Sequence, residues 1–312
     1  MEMNKFEYKI IENLVLESIK EQRRSRRWKI FFRIIWLLVI ASILFAIFGG
    51  KESVSKKSGK QIAVVNLHGI IDDENRTYKN LSEGLEAALK DKETTAVIIR
   101  ANSPGGSPVY SDMAFHEILR LRKLYPNKPV DVVVEEVCAS GCYYIASAAD
   151  KIYASPASIV GSIGVIYTGF GLNGLMDKIG VDSRLIISGR NKAMGYPFLP
   201  PNKEQEQMQQ EMMDKIHDQF IAAVKLGRGT RLSDDPDLFS GRYWIGEDGL
   251  KLGLIDGFAT VDSLARDQFK SENLVDFTPE QDPIDKISKK LGIGIVDAAK
   301  QNVVLGNSGM IN

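Results

Sequence analysis

TTAVIIRAN (residues 94–102) runs directly into the loop SPGGSP (residues 103–108). The first stretch is a continuous run of apolar and β-branched residues, which is typical of a strand buried on both faces. A helical pattern follows over residues 111–124, and PVDVVVEEVCAS (residues 129–140) predicts a further buried strand. This alternation predicts an α/β fold with a mostly parallel sheet that helices cover on both faces.

The same alternation continues on both sides of these elements. Further strands are predicted over residues 61–69, 151–155, 162–167 and 183–189, and further helices over residues 78–90, 141–149, 171–179 and 202–226. Ligands bind at the carboxyl ends of parallel strands, where loops lead into helices. Loops beginning at Asn102 and Cys138 lie at two such ends, so we expect a functional site there.

The amino-terminal region carries a long apolar run, residues 30–50, interrupted only by Arg33. At about 1.5 Å per residue, a helix of these twenty-one residues is ~31 Å long and can cross a bilayer core of about 30 Å. We predict one transmembrane helix here, an uncleaved signal anchor, because no signal-peptidase pattern follows it. Basic residues are denser on its amino-terminal side, which favours a cytoplasmic amino terminus.

The anchor divides the chain into five parts. These are a cytoplasmic segment (residues 1–29), the transmembrane helix (30–50), a polar linker (51–60), a globular domain (61–270) and a loosely attached tail (271–312). No internal repeat is evident in the globular part.

Composition excludes two classes of function. The 312 residues contain 40 basic and 40 acidic side chains, so the net charge is zero. A nucleic-acid binder needs a surplus of Lys and Arg, and we therefore expect no nucleic-acid partner. Three histidines and two cysteines are too few for the usual structural zinc patterns.

Gly105 and Gly106 lie between a predicted strand and a predicted helix. Without side chains, they let a ligand approach backbone N–H groups near the positive end of the helix. This pattern suits a phosphate or an oxyanion, although a tight turn without a ligand has the same sequence. The loop lacks GxxxxGK[ST], which argues against a nucleotide P-loop.

Ser140 is the candidate nucleophile. It lies where a strand gives way to a helix, among small residues that permit a sharp turn. The arrangement resembles a nucleophile elbow, although G-x-S-x-G is absent and a helix-capping serine is the alternative. The glycine pair in the neighbouring loop favours the interpretation of Ser140 as a nucleophile over a helix cap, because acyl transfer needs a nucleophile and oxyanion donors together.

The candidate general base is a lysine. His68, His116 and His217 come with no obvious orienting partner in the sequence. A lysine can replace histidine as a base when an apolar pocket lowers its pKa. Lys192 follows a predicted strand among apolar residues, so we expect it to lie in such a pocket.

Cys138 and Cys142 flank Ser140. A disulfide over so short a span, with one partner at a strand end, requires strained geometry. We therefore expect two small buried thiols here. The alternative, if the domain faces an oxidising compartment, is a regulatory disulfide.

Four segments carry a family resemblance. They are NSPGGS (102–107), ASGCYYIASAADKIYASPASIVGSIGV (139–165), SGRNKAMGYPF (188–198) and GRYWIGEDGLKLGLIDG (241–257). In this order they resemble the short signal peptide peptidase A family, whose members are serine–lysine peptidases of the ClpP/crotonase-type fold, built from repeated ββα units. The resemblance covers roughly residues 61–270, and the anchor stands in the family's usual place.

The resemblance implies a role for each matching residue. Ser140 is the nucleophile, Lys192 the general base, and Ser162 hydrogen-bonds the lysine amine. Gly105 or Gly106 supplies an oxyanion N–H, together with the amide of Ser140 or its neighbour; the choice between the two glycines stays open. Cys142 departs from the family, where glycine is frequent, and adds bulk beside the nucleophile.

The resemblance also implies the biology. It predicts an endopeptidase without metal or organic cofactor that degrades remnant signal peptides and other short apolar peptides. The enzyme is expected as a homo-oligomer in the bacterial inner membrane, with its peptidase domain periplasmic and neighbouring subunits sharing one groove. The alternatives are a crotonase-like acyl-CoA enzyme and a catalytically silent membrane adaptor.

Overall fold

The computed structural model describes residues 5–48 and 59–279, and the side-chain environment of residues 21–42 and 59–279. The chain divides into two units, of which one contains helix α1 (Lys5–Phe48) and the other spans residues 57–280. Among the described residues, no helix combines the length and apolarity needed to cross a bilayer. The predicted anchor over residues 30–50 extends past these residues, as do most of the predicted linker and tail.

The second unit alternates strands and helices. Its strands are β1 (Gln61–His68), β2 (Thr94–Ser103), β3 (Val130–Ala139), β4 (Ile152–Ala154), β5 (Ile159–Gly161), β6 (Tyr243–Ile245), β7 (Gly257–Phe258) and β8 (Leu274–Asp276). Its α-helices are α2 (Thr77–Lys90), α3 (Pro108–Leu124), α4 (Gly141–Ala146), α5 (Asn173–Ile179), α6 (Lys203–Arg228), α7 (Gly246–Lys251) and α8 (Val261–Asp267), and a 3₁₀ turn spans Gly229–Arg231.

One sheet of eight strands organises this unit. Its main order is β6-β5-β3-β2-β1-β8, and β4 pairs with both β3 and β7. Every pairing is parallel except that of β5 with β6. The predicted α/β fold with a mostly parallel sheet is therefore confirmed.

Apolar residues on both faces of the central strands form the core. Alternate residues of β1 face a large cluster that includes the apolar sides of α2 and α3, while Ile62 on the other face packs in a smaller cluster with Leu264 of α8. Burial on both faces explains why these strands are continuous apolar runs rather than alternating ones. The pairing of β3 with β2 and with β5 places the carboxyl ends of these three strands side by side.

The structure differs from the predicted elements at three places. The strand predicted over residues 162–167 is wrong, since β5 ends at Gly161, and residues 183–189 form no strand. Ile186 in this second run is 97% exposed. The apolar residues of the run are therefore not buried in the sheet of this chain. At the other end, β8 pairs with β1, and the folded unit extends beyond residue 270.

Candidate active site

Ser140 occupies the junction between β3 and α4. Ala139 is paired with Gly161 of β5, and the Ser140 N–H donates to the Gly161 carbonyl at 2.9 Å. The Ser140 carbonyl accepts from the Tyr144 N–H at 3.0 Å, and the backbone has φ 52° and ψ −125°. A non-glycine residue pays about 1–3 kcal/mol for such a conformation, which is typical of functional turns. Its hydroxyl makes no capping bond to α4 and is left for other partners.

A disulfide joins Cys138 and Cys142, so the expected pair of free thiols is wrong. Because α4 begins directly after Ser140, its first turn carries Cys142 back over the end of β3. The two Cα atoms consequently lie 5.0 Å apart. This separation is within the range of about 4.4–6.8 Å found for disulfides.

The structure distinguishes the two glycines. The buried Gly105 donates its N–H to the Ser103 hydroxyl at 3.2 Å, and its carbonyl accepts from Ile71. Gly106 is exposed and lines the cleft beside Ser140. A Cβ on Gly106 would lie 2.3 Å from the Ile71 carbonyl oxygen, so only glycine fits at this position. Gly106 is therefore the glycine whose amide can face a ligand next to Ser140.

A cleft of about 110 Å³ opens beside Ser140, and most of its walls are apolar. Its lining residues are Gly106, Pro108, Ser111, Ser140, Gly141, Tyr144, Gly164, Val165, Ile166, Ile216 and Phe220. Tyr144 stacks on Phe220 at 4.8 Å and donates its hydroxyl to Asp112 at 2.9 Å. Burial, followed by this bond to a carboxylate, raises the pKa of Tyr144, so the cleft wall stays neutral.

Ser162 follows β5 directly and lies at the same sheet edge as Ser140. Its backbone also has φ 52°, and its N–H donates to the Arg242 carbonyl at 2.9 Å. His217 of α6 contacts the next residue, with its Nε2 3.0 Å from the Ile163 carbonyl oxygen. No sequence pattern predicted this contact, because His217 lies in a long charged helix.

The structure does not bring Lys192 to Ser140. Lys192 is exposed in a turn closed by its own N–H to the Gly189 carbonyl, and it is absent from the cleft lining. The expected apolar pocket around Lys192 is therefore wrong for the described single chain. Nor does any histidine line the cleft among the described residues.

Residues 166–187, which precede Lys192, expose many large apolar side chains, and we name them the apolar segment. The exposed fractions reach 87% at Ile166, 84% at Phe170 and 97% at Ile186. Tyr167, Leu175, Ile179, Val181, Leu185 and Ile187 are also exposed. So many exposed large apolar side chains within one short stretch are unusual for a soluble monomer. Over the described chain, no group of three or more His, Cys, Asp or Glu side chains is placed to bind a metal ion.

Comparison with known proteins defines the class of protein. Residues 122–275 match the profile of peptidase family S49. A putative protease of Methanocaldococcus jannaschii is 34% identical over 245 residues, which cover 74% of this chain and 77% of that protein. A putative signal peptide peptidase SppA of Enterococcus faecium is 29% identical over 247 residues, which cover 74% of this chain and 71% of that protein. These matches define a serine peptidase.

The chain belongs to peptidase family S49. The predicted family resemblance and the predicted serine peptidase are thus confirmed. A Brucella abortus protein named Na(+)/H(+) antiporter NhaA is 42% identical over 212 residues. That alignment covers 66% of this chain but 29% of the relative, so the chain spans less than a third of that protein.

Proposed function

We propose that this chain is a membrane-anchored serine endopeptidase in which Ser140 is the nucleophile and Lys192 the general base. The observation that carries the proposal is the Ser140 turn. At this turn of positive φ, Ser140 lines an apolar cleft with a hydroxyl that does not cap α4, and the glycine-only position Gly106 lines the same cleft.

The backbone around Ser140 favours one pair of oxyanion donors. The Ser140 N–H already donates to Gly161, whereas the first N–H groups of a helix have no partner within the helix. We therefore assign the oxyanion to the amides of Gly106 and Gly141, which both line the cleft. They stabilise the charge that develops when the Ser140 Oγ attacks the peptide carbonyl.

Proton transfer is assigned to Lys192. Its neutral amine takes the proton of the Ser140 hydroxyl and returns it to the leaving amine of the peptide. Ser162 accepts a hydrogen bond from this amine and orients it. The placement of Ser162 at the end of β5, level with Ser140, supports this role.

A homo-oligomer completes the site in this proposal. The apolar segment is exposed in the single chain, and Lys192 lies close behind it in sequence. A second copy that buries this surface also supplies the apolar surroundings that a neutral lysine needs. The groove then combines Ser140 of one subunit with Lys192 of its neighbour.

The proposed substrates are remnant signal peptides and other short apolar peptides. The apolar walls of the cleft suit an apolar side chain next to the cleaved bond. We place the enzyme in the bacterial inner membrane through residues 30–50, with the peptidase unit periplasmic. Basic residues before this stretch support that orientation, and so does the disulfide, since such bonds persist in oxidising compartments.

Complementation tests both the dyad and the shared groove. The full chain in detergent is assayed with a fluorogenic apolar peptide as wild type, Ser140→Ala, Lys192→Ala and the control Arg190→Ala. We expect each dyad variant to lose at least about 10²-fold in kcat, and the control to stay active. Subunits of the two inactive variants, mixed and reassembled, should recover part of the activity. Full activity in Lys192→Ala would refute the assigned base, and no recovery in the mixture would refute the shared groove.

A further inference from the structure

The disulfide encloses the nucleophile. Cys138 and Cys142 close a ring around Ala139, Ser140 and Gly141, and they are the only two cysteines of the chain. Both are fully buried. Any thiol chemistry of this protein therefore takes place at the turn that carries Ser140.

One end of the disulfide is fixed in the sheet. Cys138 is paired with Ser103 of β2 on one side and with Val160 of β5 on the other. A residue held by both neighbouring strands has little freedom to move. The bond to Cys142 consequently ties the first turn of α4 to a strand that is paired on both sides, directly across Ser140.

Breaking this bond requires two buried sulfurs to move apart. Bonded sulfurs lie about 2.0 Å apart, whereas non-bonded heavy atoms keep roughly 3.5–4.0 Å. The first turn of α4 is already tight against α3, since a Cβ on Gly141 would lie 2.4 Å from the Ser111 hydroxyl oxygen. Separating two buried sulfurs therefore displaces the turn that holds Ser140 and the Gly141 amide.

We propose that the Cys138–Cys142 disulfide is a positioning element for Ser140, formed by an oxidation step after which the chain becomes a fast peptidase. The inference rests on the proposed nucleophile. In the oxidation, the two thiols lose two protons and two electrons to the disulfide of a thiol–disulfide oxidant, which leaves as a dithiol. Burial then shields the new bond from solvent.

The test compares the two redox states of the full chain. Cell-free synthesis into detergent micelles, in oxidising or reducing glutathione buffer, gives both forms, and alkylation after denaturation counts zero or two thiols. We expect kcat of the reduced form to be about 10- to 100-fold lower, because small displacements of reacting groups have effects of this size. KM should change less than about twofold, and oxidation of the reduced form should restore kcat.

The control is the double variant Cys138→Ala/Cys142→Ala, whose activity should not depend on the redox buffer. Equal kcat values for the reduced and oxidised wild type would overturn the inference. An equal loss of kcat in the double variant in reducing buffer would also overturn it, since the reductant would then act at another place than this disulfide. An oxidised wild type without Ser140-dependent activity would instead refute the proposed function, so the two failures are distinguishable.

Discussion

Ser140 and Ser162 follow paired residues of two neighbouring parallel strands, and both have a backbone φ of 52°. The Ser140 N–H donates to the carbonyl of Gly161, the residue that precedes Ser162. The two strand ends thus hold each other in place, and the two hydroxyl-bearing residues leave the sheet at the same level.

The strained φ of Ser140 gives a prediction that separates stability from activity. Ser140→Gly should be inactive yet more stable by about 1 kcal/mol, because glycine adopts positive φ without penalty but loses some chain entropy. Ser140→Ala is the matched control, equally inactive but without this gain. Urea unfolding of the two variants measures the difference. Equal stabilities would show that backbone strain at Ser140 is negligible.

Ser103 supports the glycine loop from inside. Its fully buried hydroxyl accepts the Gly105 N–H, and Ser103→Ala leaves this amide buried without a partner. We expect a loss of about 1–3 kcal/mol in the free energy of unfolding and a lower kcat. Ser240→Ala, which removes an exposed hydroxyl, should stay within about 0.5 kcal/mol of wild type. A Ser103→Ala variant as stable as this control would contradict the role.

Phe220 limits the size of the cleft. Phe220→Ala enlarges the space beside Ser140, so the ratio of kcat/KM for large over small apolar peptides should rise about tenfold. The truncation also costs about 3–5 kcal/mol of stability, so the assay is run well below the unfolding transition. Leu226→Ala, on the exposed side of the same helix, is the control. An unchanged ratio would show that substrate side chains bind elsewhere.

Arg228 and Asp256 form a buried ion pair. The Arg228 side chain is 1% exposed and lies 2.6 Å from the Asp256 carboxylate, which is 15% exposed. Arg228→Met leaves the partly buried Asp256 carboxylate with only Arg231 and the Ile152 N–H as partners, and should cost up to about 3 kcal/mol in thermal or urea unfolding. Lys79→Met, which breaks an exposed pair, should change stability by less than about 1 kcal/mol. Similar losses in both variants would rule out burial as the cause.

Asp131 gives a prediction for pH. Burial, with nearby Asp150 next in importance, raises the pKa of its carboxyl from 3.8 to about 6. The folded state therefore binds this proton more tightly than the unfolded state, and its contribution to stability falls as pH rises from about 4 to about 6. Asp131→Asn, which can still accept from Gln268, removes this loss.

The expected gain for Asp131→Asn is up to about 3 kcal/mol at pH 8, from about 1.4 kcal/mol for each pKa unit. Unfolding curves at pH 4, 6 and 8 measure it. Asp214→Asn, at an exposed position, is the control. If the gain is the same at pH 4 and pH 8, protonation of Asp131 is not its source.

The central strands could be predicted from the sequence because strands buried on both faces consist of continuous apolar runs. β1, β2 and β3 match the apolar runs to within one or two residues at each end. A functional site in the loops after β2 and β3 could be predicted because ligands bind at the carboxyl ends of parallel strands. The structure places Gly106 and Ser140 of these two loops in one cleft.

Other features depend on contacts that a pattern does not identify. The run over residues 183–189 is apolar but forms no strand, because apolarity predicts burial without saying what covers it. Lys192 is likewise exposed in the single chain, because an apolar sequence around a residue does not say which surface covers it. The disulfide was missed because the four-residue spacing of Cys138 and Cys142 does not show that the chain turns back over the strand end.

The pairing of β8 with β1 sets the order in which this unit can be completed. The Asn66 N–H donates to the Thr278 hydroxyl across 212 residues of sequence, and among the described strands β8 is the one that pairs with β1 on that side of the sheet. Contacts so distant in sequence make folding slow, and until they form, β1 exposes an open edge that can pair with other chains. During synthesis, β1 must therefore wait for β8, which the ribosome makes about two hundred residues later.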